Sequence, residues 1–255
     1  MDPNDGDRRR FLKFSAVAGA ALVFEACSSS GKASNQAAAV NTAGAVKKDD
    51  PPKDAKEVLA VEDLMREHGV LRRALLVFGE AAVVLPGNPP AAWGDAIQKT
   101  AKLFRTFGED YHEKKLEEQY IFPVIKQKGL SGPAGIYPDI LTAQHNRGRE
   151  ITDYILSVTA SGKVGANAGE LAKALHGFVR MYEAHAARED TIVFPAWKDL
   201  ITADEYDELG DKFEDIEHEQ FGADGFEDAV KQMAEIEASV GMADISKLTA
   251  AAPPK

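Results

Sequence analysis

The apolar positions from about residue 56 onward recur with the period of an α-helix. In the first segment, apolar side chains and one histidine lie three or four residues apart, which places them on one helix face. This stripe consists of Val58, Val61, Leu64, Met65, His68, Leu71, Leu75 and Phe78. The stretch 85–90 is rich in proline and glycine and therefore ends the helix.

Three more segments with helical character follow, and each is bounded by glycine or proline. They extend over about residues 92–128, 138–160 and 168–200. No segment shows the strict alternation of apolar and polar residues that is typical of a strand. Four helices joined by short loops predict an all-α fold, an up-down-up-down four-helix bundle over residues 57–200.

The chain beyond residue 200 predicts further helices. Thr202 and Glu205 have the spacing of a capping box, which opens a fifth helix. A break between Gly222 and Gly225 precedes a last helix that ends near Val240. We therefore predict a C-terminal helical extension over residues 201–242 that packs across the bundle.

The N-terminus has the features of an export signal. Arg8 and Arg9 lie in the segment Asp-Arg-Arg-Arg-Phe-Leu-Lys, which resembles a twin-arginine signal. The apolar run that follows, residues 14–24, is too short to span a bilayer as a helix. The resemblance implies that residues 1–27 direct export of the folded protein to the periplasm by the twin-arginine translocase. The alternative is a basic amphipathic tail.

Cys27, the only cysteine, follows this apolar run and excludes an internal disulfide. Its position resembles a lipoprotein cleavage site, which would make Cys27 the attachment point of a membrane lipid anchor. Residues 24–26 match that site poorly, so cleavage by an ordinary signal peptidase, which leaves a soluble periplasmic protein, is the alternative. Residues 28–56 contain almost no side chain that could pack in a core, and we predict a disordered linker.

Histidines and acids recur in two copies of one helix pair. Each copy has a lone histidine, then a second histidine about 40 residues later, an acid pair and Phe-Pro. The first copy contains His68, His112, Glu117-Glu118 and Phe122-Pro123, and the second contains His145, His185, Glu189-Asp190 and Phe194-Pro195. Imidazoles and carboxylates that meet in a bundle core are typical of a dinuclear metal site. We predict that the ligands are His68, His112, Glu117, His145, His185 and Glu189.

The spacing between histidine and acid differs between the copies. His185 and Glu189 are four residues apart and share a helix face. His112 and Glu117 are five apart, which rotates them by about 140° in a straight α-helix. Both acids nevertheless lie six residues before the proline of Phe-Pro. The extra residue predicts a π-bulge between about residues 110 and 118, because such a bulge absorbs one residue.

Several neighbouring residues remain as alternatives or supporting groups. Glu113 and Glu118 are the alternative acid ligands in the second helix. The imidazoles also need hydrogen-bond partners on their outer nitrogens. The candidates for this role are Glu109, Tyr111 and Tyr182. His176 is half a turn out of phase with His185, so we predict that it is structural or lies at the surface.

The donor types limit the metal and the class of bundle. Imidazole with carboxylate suits iron, with manganese as the second choice, whereas structural zinc prefers thiolates. A ferritin-like bundle needs two Glu-x-x-His motifs. Only Glu109-x-x-His112 has that spacing, since Tyr182 takes the corresponding place before His185. The net charge of −11 argues against nucleic acid as a partner.

These motifs together resemble the haemerythrin-like, HHE cation-binding family over roughly residues 57–200. The resemblance implies two irons in the bundle core, bridged by carboxylates, that bind O2 or related small molecules. Haemerythrins proper have a fifth histidine in a His-x-x-x-His pair on the third helix, whereas here Arg149 follows His145. Glu113 could replace that imidazole, or His218 could reach the site from the C-terminal segment.

The motifs and the resemblance leave three functions open. The first is a non-haem di-iron protein that binds or senses O2, NO or peroxide in the periplasm. The second is a di-iron oxidoreductase, of peroxidase, catalase or oxidase type, on the same ligands. The third is a helical interaction module whose histidines are structural, and the in-phase repeat argues against it.

Overall fold

The computed structural model describes residues 58–87, 89–222 and 225–254. The predicted export signal, Cys27 and the linker lie outside these residues. No strand occurs in the described part of the chain, which confirms the all-α prediction. Within the same residues, no helix is both long and apolar enough to cross a membrane.

The described residues form six helices, and two of them contain π-helical segments. Helices α1, α3, α5 and α6 are Ala60–Val84, Pro133–Val158, Ala203–Phe221 and Gly225–Ser239. Helix α2 consists of Ala92–Leu103, a π segment Phe104–Ile121 and Phe122–Lys128. Helix α4 consists of Ala168–Arg188, a π segment Glu189–Val193 and Phe194–Leu200. Short 3₁₀ turns occur at Gly165–Asn167 and Ile245–Leu248.

Helix α3 begins five residues earlier than the sequence predicts. Gly132 has a φ of 73°, which is not helical, and the helix therefore begins after it. Pro133 occupies the first turn. Proline is tolerated there because its missing N–H has no partner within the helix at that position. Pro138, the predicted start, instead lies inside α3.

Helices α1 to α4 form the bundle, in which α1 packs along α4 and α2 contacts α3. One part of the interior is aromatic. The ring of Phe178 makes edge contacts with Phe78 and Phe104 at centroid distances of 5.6 and 4.9 Å. Each such buried ring contributes about 1.5–3 kcal/mol relative to an exposed one. This aromatic layer lies next to the polar part of the core, where the histidines meet.

The C-terminal extension packs on α1 and α2. The α5 capping box is present, because the Thr202 hydroxyl accepts from the Glu205 N–H and the Glu205 carboxylate accepts from the Thr202 N–H. Trp197 of α4 is fully buried and stacks on Phe213 of α5, with ring centroids 6.1 Å apart. Helix α6 is held by Glu237, whose two oxygens accept from Arg73 of α1 at 2.8 and 2.6 Å.

Candidate metal centre

The π segment of α2 accommodates the five-residue spacing between His112 and Glu117 in the first copy. In π geometry the backbone hydrogen bonds run from residue i to i+5, so residues five apart face the same side. The segment ends where the Phe122 N–H donates to the Glu117 carbonyl. His112 and Glu117 consequently both point into the core, where each is almost fully buried. The predicted π-bulge is confirmed, although the segment, Phe104–Ile121, is longer than expected.

Helix α4 also has a π segment, which the sequence did not predict. It covers Glu189–Val193 and ends where the Phe194 N–H donates to the Glu189 carbonyl. His185 and Glu189 have the four-residue spacing of an ordinary α-helix, so the sequence contained no sign of this π segment. In both helices the π segment ends at the phenylalanine of Phe-Pro, and the proline that follows has no N–H to continue the hydrogen-bond ladder.

The four repeated histidines form two pairs in the core. The Nε2 atoms of His68 and His112 are 3.0 Å apart, and we call these residues the first pair. The Nε2 atoms of His145 and His185 are also 3.0 Å apart and form the second pair. None of the four side chains is more than 3% exposed. Each pair therefore directs two nitrogen donors toward one point inside the bundle.

Glu117 lies between the two pairs. Its Oε1 is 3.4 Å from Nε2 of His112, and its Oε2 is 3.3 Å from Nε2 of His145. Neither oxygen has a hydrogen-bond partner among the described residues, and the side chain has no exposed surface. One carboxylate thus presents one oxygen to each histidine pair.

Glu189 spans the pairs in the same way. Its Oε2 is 3.5 Å from Nε2 of His68, and its Oε1 is 3.0 Å from Nε2 of His185. Both oxygens are buried and, in the described part of the chain, lack a hydrogen-bond partner. The second pair therefore forms, with both glutamates, a group of four donors that could hold a metal ion. The first pair forms such a group with Glu117, and Glu189 approaches it at His68. The two carboxylates thus connect the pairs.

The outer nitrogens of the first pair donate to acids. Nδ1 of His68 donates to Asp190 at 2.7 Å, and Nδ1 of His112 donates to Glu67 at 2.5 Å. Tyr111, which the sequence offered as a direct partner, instead donates to Glu67 at 2.9 Å. It therefore supports the imidazole through the acid, because its hydroxyl cannot reach the ring nitrogen that Glu67 occupies.

The second pair has equivalent partners. Nδ1 of His145 donates to Glu118 at 2.9 Å, and Nδ1 of His185 donates to the amide oxygen of Gln144 at 2.9 Å. Glu118 thus lies behind an imidazole rather than between the pairs. Glu109, another predicted partner, pairs with Arg105 and does not reach an imidazole, because it lies outside the histidine layer.

The hydrogen bonds and the pKa shifts show that this core stabilises positive charge. Each Nδ1–H is donated outward, so each neutral imidazole turns its Nε2 lone pair inward. Burial lowers the pKa of His112, but Glu117 and Glu67 outweigh it and raise that pKa well above its ordinary value. Burial raises the pKa of Glu189, but His185 and His68 outweigh it and hold that pKa well below its ordinary value. Protons or metal ions must therefore balance the converging lone pairs.

The remaining sequence candidates lie away from the Nε2 atoms. Glu113 is 4.0 Å from Nδ1 of His145, on the outer side of the ring. Arg149 occupies the place of a fifth histidine and donates to Glu118 at 2.7 Å and to Glu113 at 3.2 Å. His218 is exposed on α5, and His176 is exposed on α4, as predicted for the latter.

The phenylalanines of the Phe-Pro motifs pack on the imidazoles. Phe194 stacks on His68, with ring centroids 5.4 Å apart, and Phe122 stacks on His145 at 5.6 Å. Each ring comes from the opposite copy of the helix pair. The motif therefore fixes the plane of one histidine in each pair, which the sequence repeat alone does not reveal.

Comparison with known proteins agrees with this architecture. Uncharacterised proteins of Mycobacterium bovis and of two strains of Mycobacterium tuberculosis are each 38% identical over 244 residues, which cover 95% of this chain and 90% of theirs. None of the solved structures gave a significant match. The profile of the haemerythrin HHE cation-binding domain matches residues 59–197, which contain both histidine pairs and both bridging acids. The chain therefore belongs to the haemerythrin HHE cation-binding domain family.

Proposed function

We propose that the protein holds two irons and binds O2 or a related small molecule, NO or peroxide, in the periplasm. The observation that supports this most strongly is the arrangement of four buried carboxylate oxygens without hydrogen-bond partners beside four inward Nε2 atoms. Buried polar atoms of a native protein normally have partners, so a cation is the expected one here. The mixed nitrogen and oxygen donors suit iron, and manganese is the second choice.

The protein's own groups would shape how a small molecule binds. The two histidine pairs, with Glu117 and Glu189, would hold the irons. Iron held there would supply reversible, redox-coupled binding of a small oxygen or nitrogen ligand. A small cavity at the site, lined by histidines and acids of the site itself and also by Leu71, Leu75, Phe104, Tyr182 and Ala186, is where such a ligand would bind.

A di-iron oxidoreductase is the second candidate function. It is favoured by one observation, namely that Glu113 and Tyr182, which are not among the proposed metal ligands, add polar groups to the lining of this cavity. A carrier of an apolar gas does not require such groups, whereas a reaction at a bound oxygen ligand uses them to orient the ligand.

Metal analysis tests the proposal. We expect about two irons per chain in protein from iron-rich medium, because each histidine pair, together with the carboxylate oxygens beside it, would hold one iron. His185→Ala should lose much of this iron, whereas His176→Ala, at an exposed position on the same helix, should keep it. A visible spectrum in air, then with peroxide, distinguishes a binding protein from an enzyme. Unmutated protein without any transition metal would refute the proposal.

The periplasmic location has a separate test. The double variant Arg8→Lys, Arg9→Lys should stop export, because the resemblance implies that the translocase reads the guanidinium pair. Continued accumulation of this variant in the periplasm would contradict the twin-arginine interpretation. Cys27→Ser should release the protein from membranes if Cys27 has a lipid anchor, and an unchanged membrane fraction would reject the anchor.

A further inference from the structure

Glu113 is a chemical difference between the two copies of the site. It directly follows His112, whereas Ala186 directly follows His185, and both residues line the same cavity. Only the first copy has the extra residue that the π segment accommodates. Glu117 and Glu189 also line this cavity, so Glu113 adds a third carboxylate on the α2 side at the position where α4 has the methyl group of Ala186.

The structure holds the Glu113 carboxylate firmly in place. Its Oε1 accepts from the Tyr182 hydroxyl at 2.8 Å, and its Oε2 accepts from Arg149 at 3.2 Å. A Cβ at Gly148 would lie only 1.9 Å from the Tyr182 oxygen, so the hydroxyl occupies space that a glycine leaves free. Glu113 itself is 2% exposed. Residues of α2, α3 and α4 therefore fix this one acceptor beside the cavity.

Glu113 groups with Glu118 and His145 on the outer side of that imidazole, where Arg149 donates to both carboxylates and supplies the positive charge. This position argues against a role as a ligand between the histidine pairs. The imidazole nitrogen nearest to Glu113 is Nδ1 of His145, whereas the Nε2 atoms face Glu117 and Glu189. Each Glu113 oxygen accepts one hydrogen bond and has a lone pair to spare. A carboxylate in this position can accept a hydrogen bond from a molecule in the cavity.

We propose that Glu113 determines which small molecule the site takes, and that it selects hydrogen peroxide or another hydroperoxide over O2 and NO. This inference rests on the proposed di-iron function. An O–H group can donate to Glu113, whereas O2 and NO have no proton to donate. O2 and NO therefore gain no hydrogen bond from Glu113, whereas a hydroperoxide gains one to a charged acceptor. Sites built around such a hydrogen bond discriminate strongly against ligands that lack the donor.

The test compares Glu113→Gln with the same change at Glu183, an exposed position on α4. Iron content should be unchanged in both variants. The rate constant for the absorbance change of the ferric protein with hydrogen peroxide should fall about 10- to 100-fold in Glu113→Gln, the range expected for a hydrogen bond to a charged group. NO affinity of the ferrous protein should change less than about threefold, as for a group that makes no contact with the ligand.

Tyr182→Phe provides a second variant, because it removes the donor that orients Glu113 while it keeps the ring. We expect a smaller loss in the peroxide rate, again without loss of iron. Loss of iron in Glu113→Gln would show that Glu113 is a ligand and would overturn the inference. Equal effects on peroxide and NO, or no effect on either, would overturn it as well. Unmutated protein without iron would refute the di-iron function and this inference together. Iron-loaded unmutated protein whose variants do not differ in this way would refute this inference alone.

Discussion

Two adjacent acids of the α2 π segment have different roles, and their replacement by alanine should separate these roles. Glu117 presents one oxygen to each histidine pair, whereas Glu118 accepts a hydrogen bond from the outer nitrogen of His145. Glu117→Ala therefore removes a carboxylate donor at both proposed metal positions. Glu118→Ala leaves the inward donors in place and removes the outer partner of His145, which is also an acceptor of Arg149.

The expected losses of metal affinity in the two variants follow from these contacts. Loss of an outer partner of a ligating histidine typically weakens metal binding about 10- to 100-fold, or about 1.4–2.7 kcal/mol. Glu118 has a side chain that is 23% exposed, so water can replace part of its hydrogen bonding, and the effect should fall near the lower limit. Glu117 has no exposed surface, and among the described residues Glu189 is the one other carboxylate between the pairs. We expect its loss to exceed the effect of Glu118→Ala at both metal positions.

The assay is competitive removal of iron by a chelator, followed by metal analysis of the protein. Glu117→Ala should lose both irons at chelator concentrations that leave Glu118→Ala largely loaded. Helix content from circular dichroism of the metal-free variants controls for folding. If both variants lost iron equally, or if Glu118→Ala lost more, the assignment of Glu117 as the bridging acid would be wrong.

Three further predictions concern stability. The metal-free protein should lose stability as pH rises above 6.5, the ordinary pKa of histidine. The raised pKa values of His112 and His145 stabilise the folded state below that pH, and this stabilisation disappears as the two imidazoles deprotonate. Urea unfolding at several pH values measures the free energy of unfolding, and a rise with pH would contradict the prediction. Gly148→Ala should displace the Tyr182 hydroxyl and destabilise the fold by about 1–3 kcal/mol, whereas a thermal midpoint equal to that of the unmutated protein would show that the helices yield easily. Trp197→Ala should cost about 3–5 kcal/mol in denaturant unfolding, since its ring is fully buried against α5; a cost below 1 kcal/mol would mean that the extension contributes little.

The sequence predicted the elements that depend on local periodicity. Helices α2 and α4 occupy the predicted residues, and the π geometry of α2 followed from one surplus residue between His112 and the Phe-Pro motif. These predictions succeed because helix phase and proline position are properties of a single segment. The start of α3 was wrong, because Pro133 and Pro138 both suit a first turn and local sequence does not rank them.

The partners of the imidazoles could not be predicted in this way. Asp190, Glu67 and Gln144 each reach a histidine on a different helix, so their roles depend on how the helices pack. The repeat nevertheless contained a signal. A long polar side chain precedes each lone histidine, and an acid follows each bridging glutamate, so equivalent positions in the two copies have equivalent roles.

The bridging acids cross between the two copies. The helix pair α1–α2 contains the first histidine pair, yet that pair also requires Glu189 from α4, and the second pair requires Glu117 from α2. Neither hairpin alone has a complete set of donors. A metal ion in this core would therefore join two hairpins that are distant in the chain, in the manner of a cross-link that closes a long loop. Metal occupancy would then report that the two halves of the bundle have packed together.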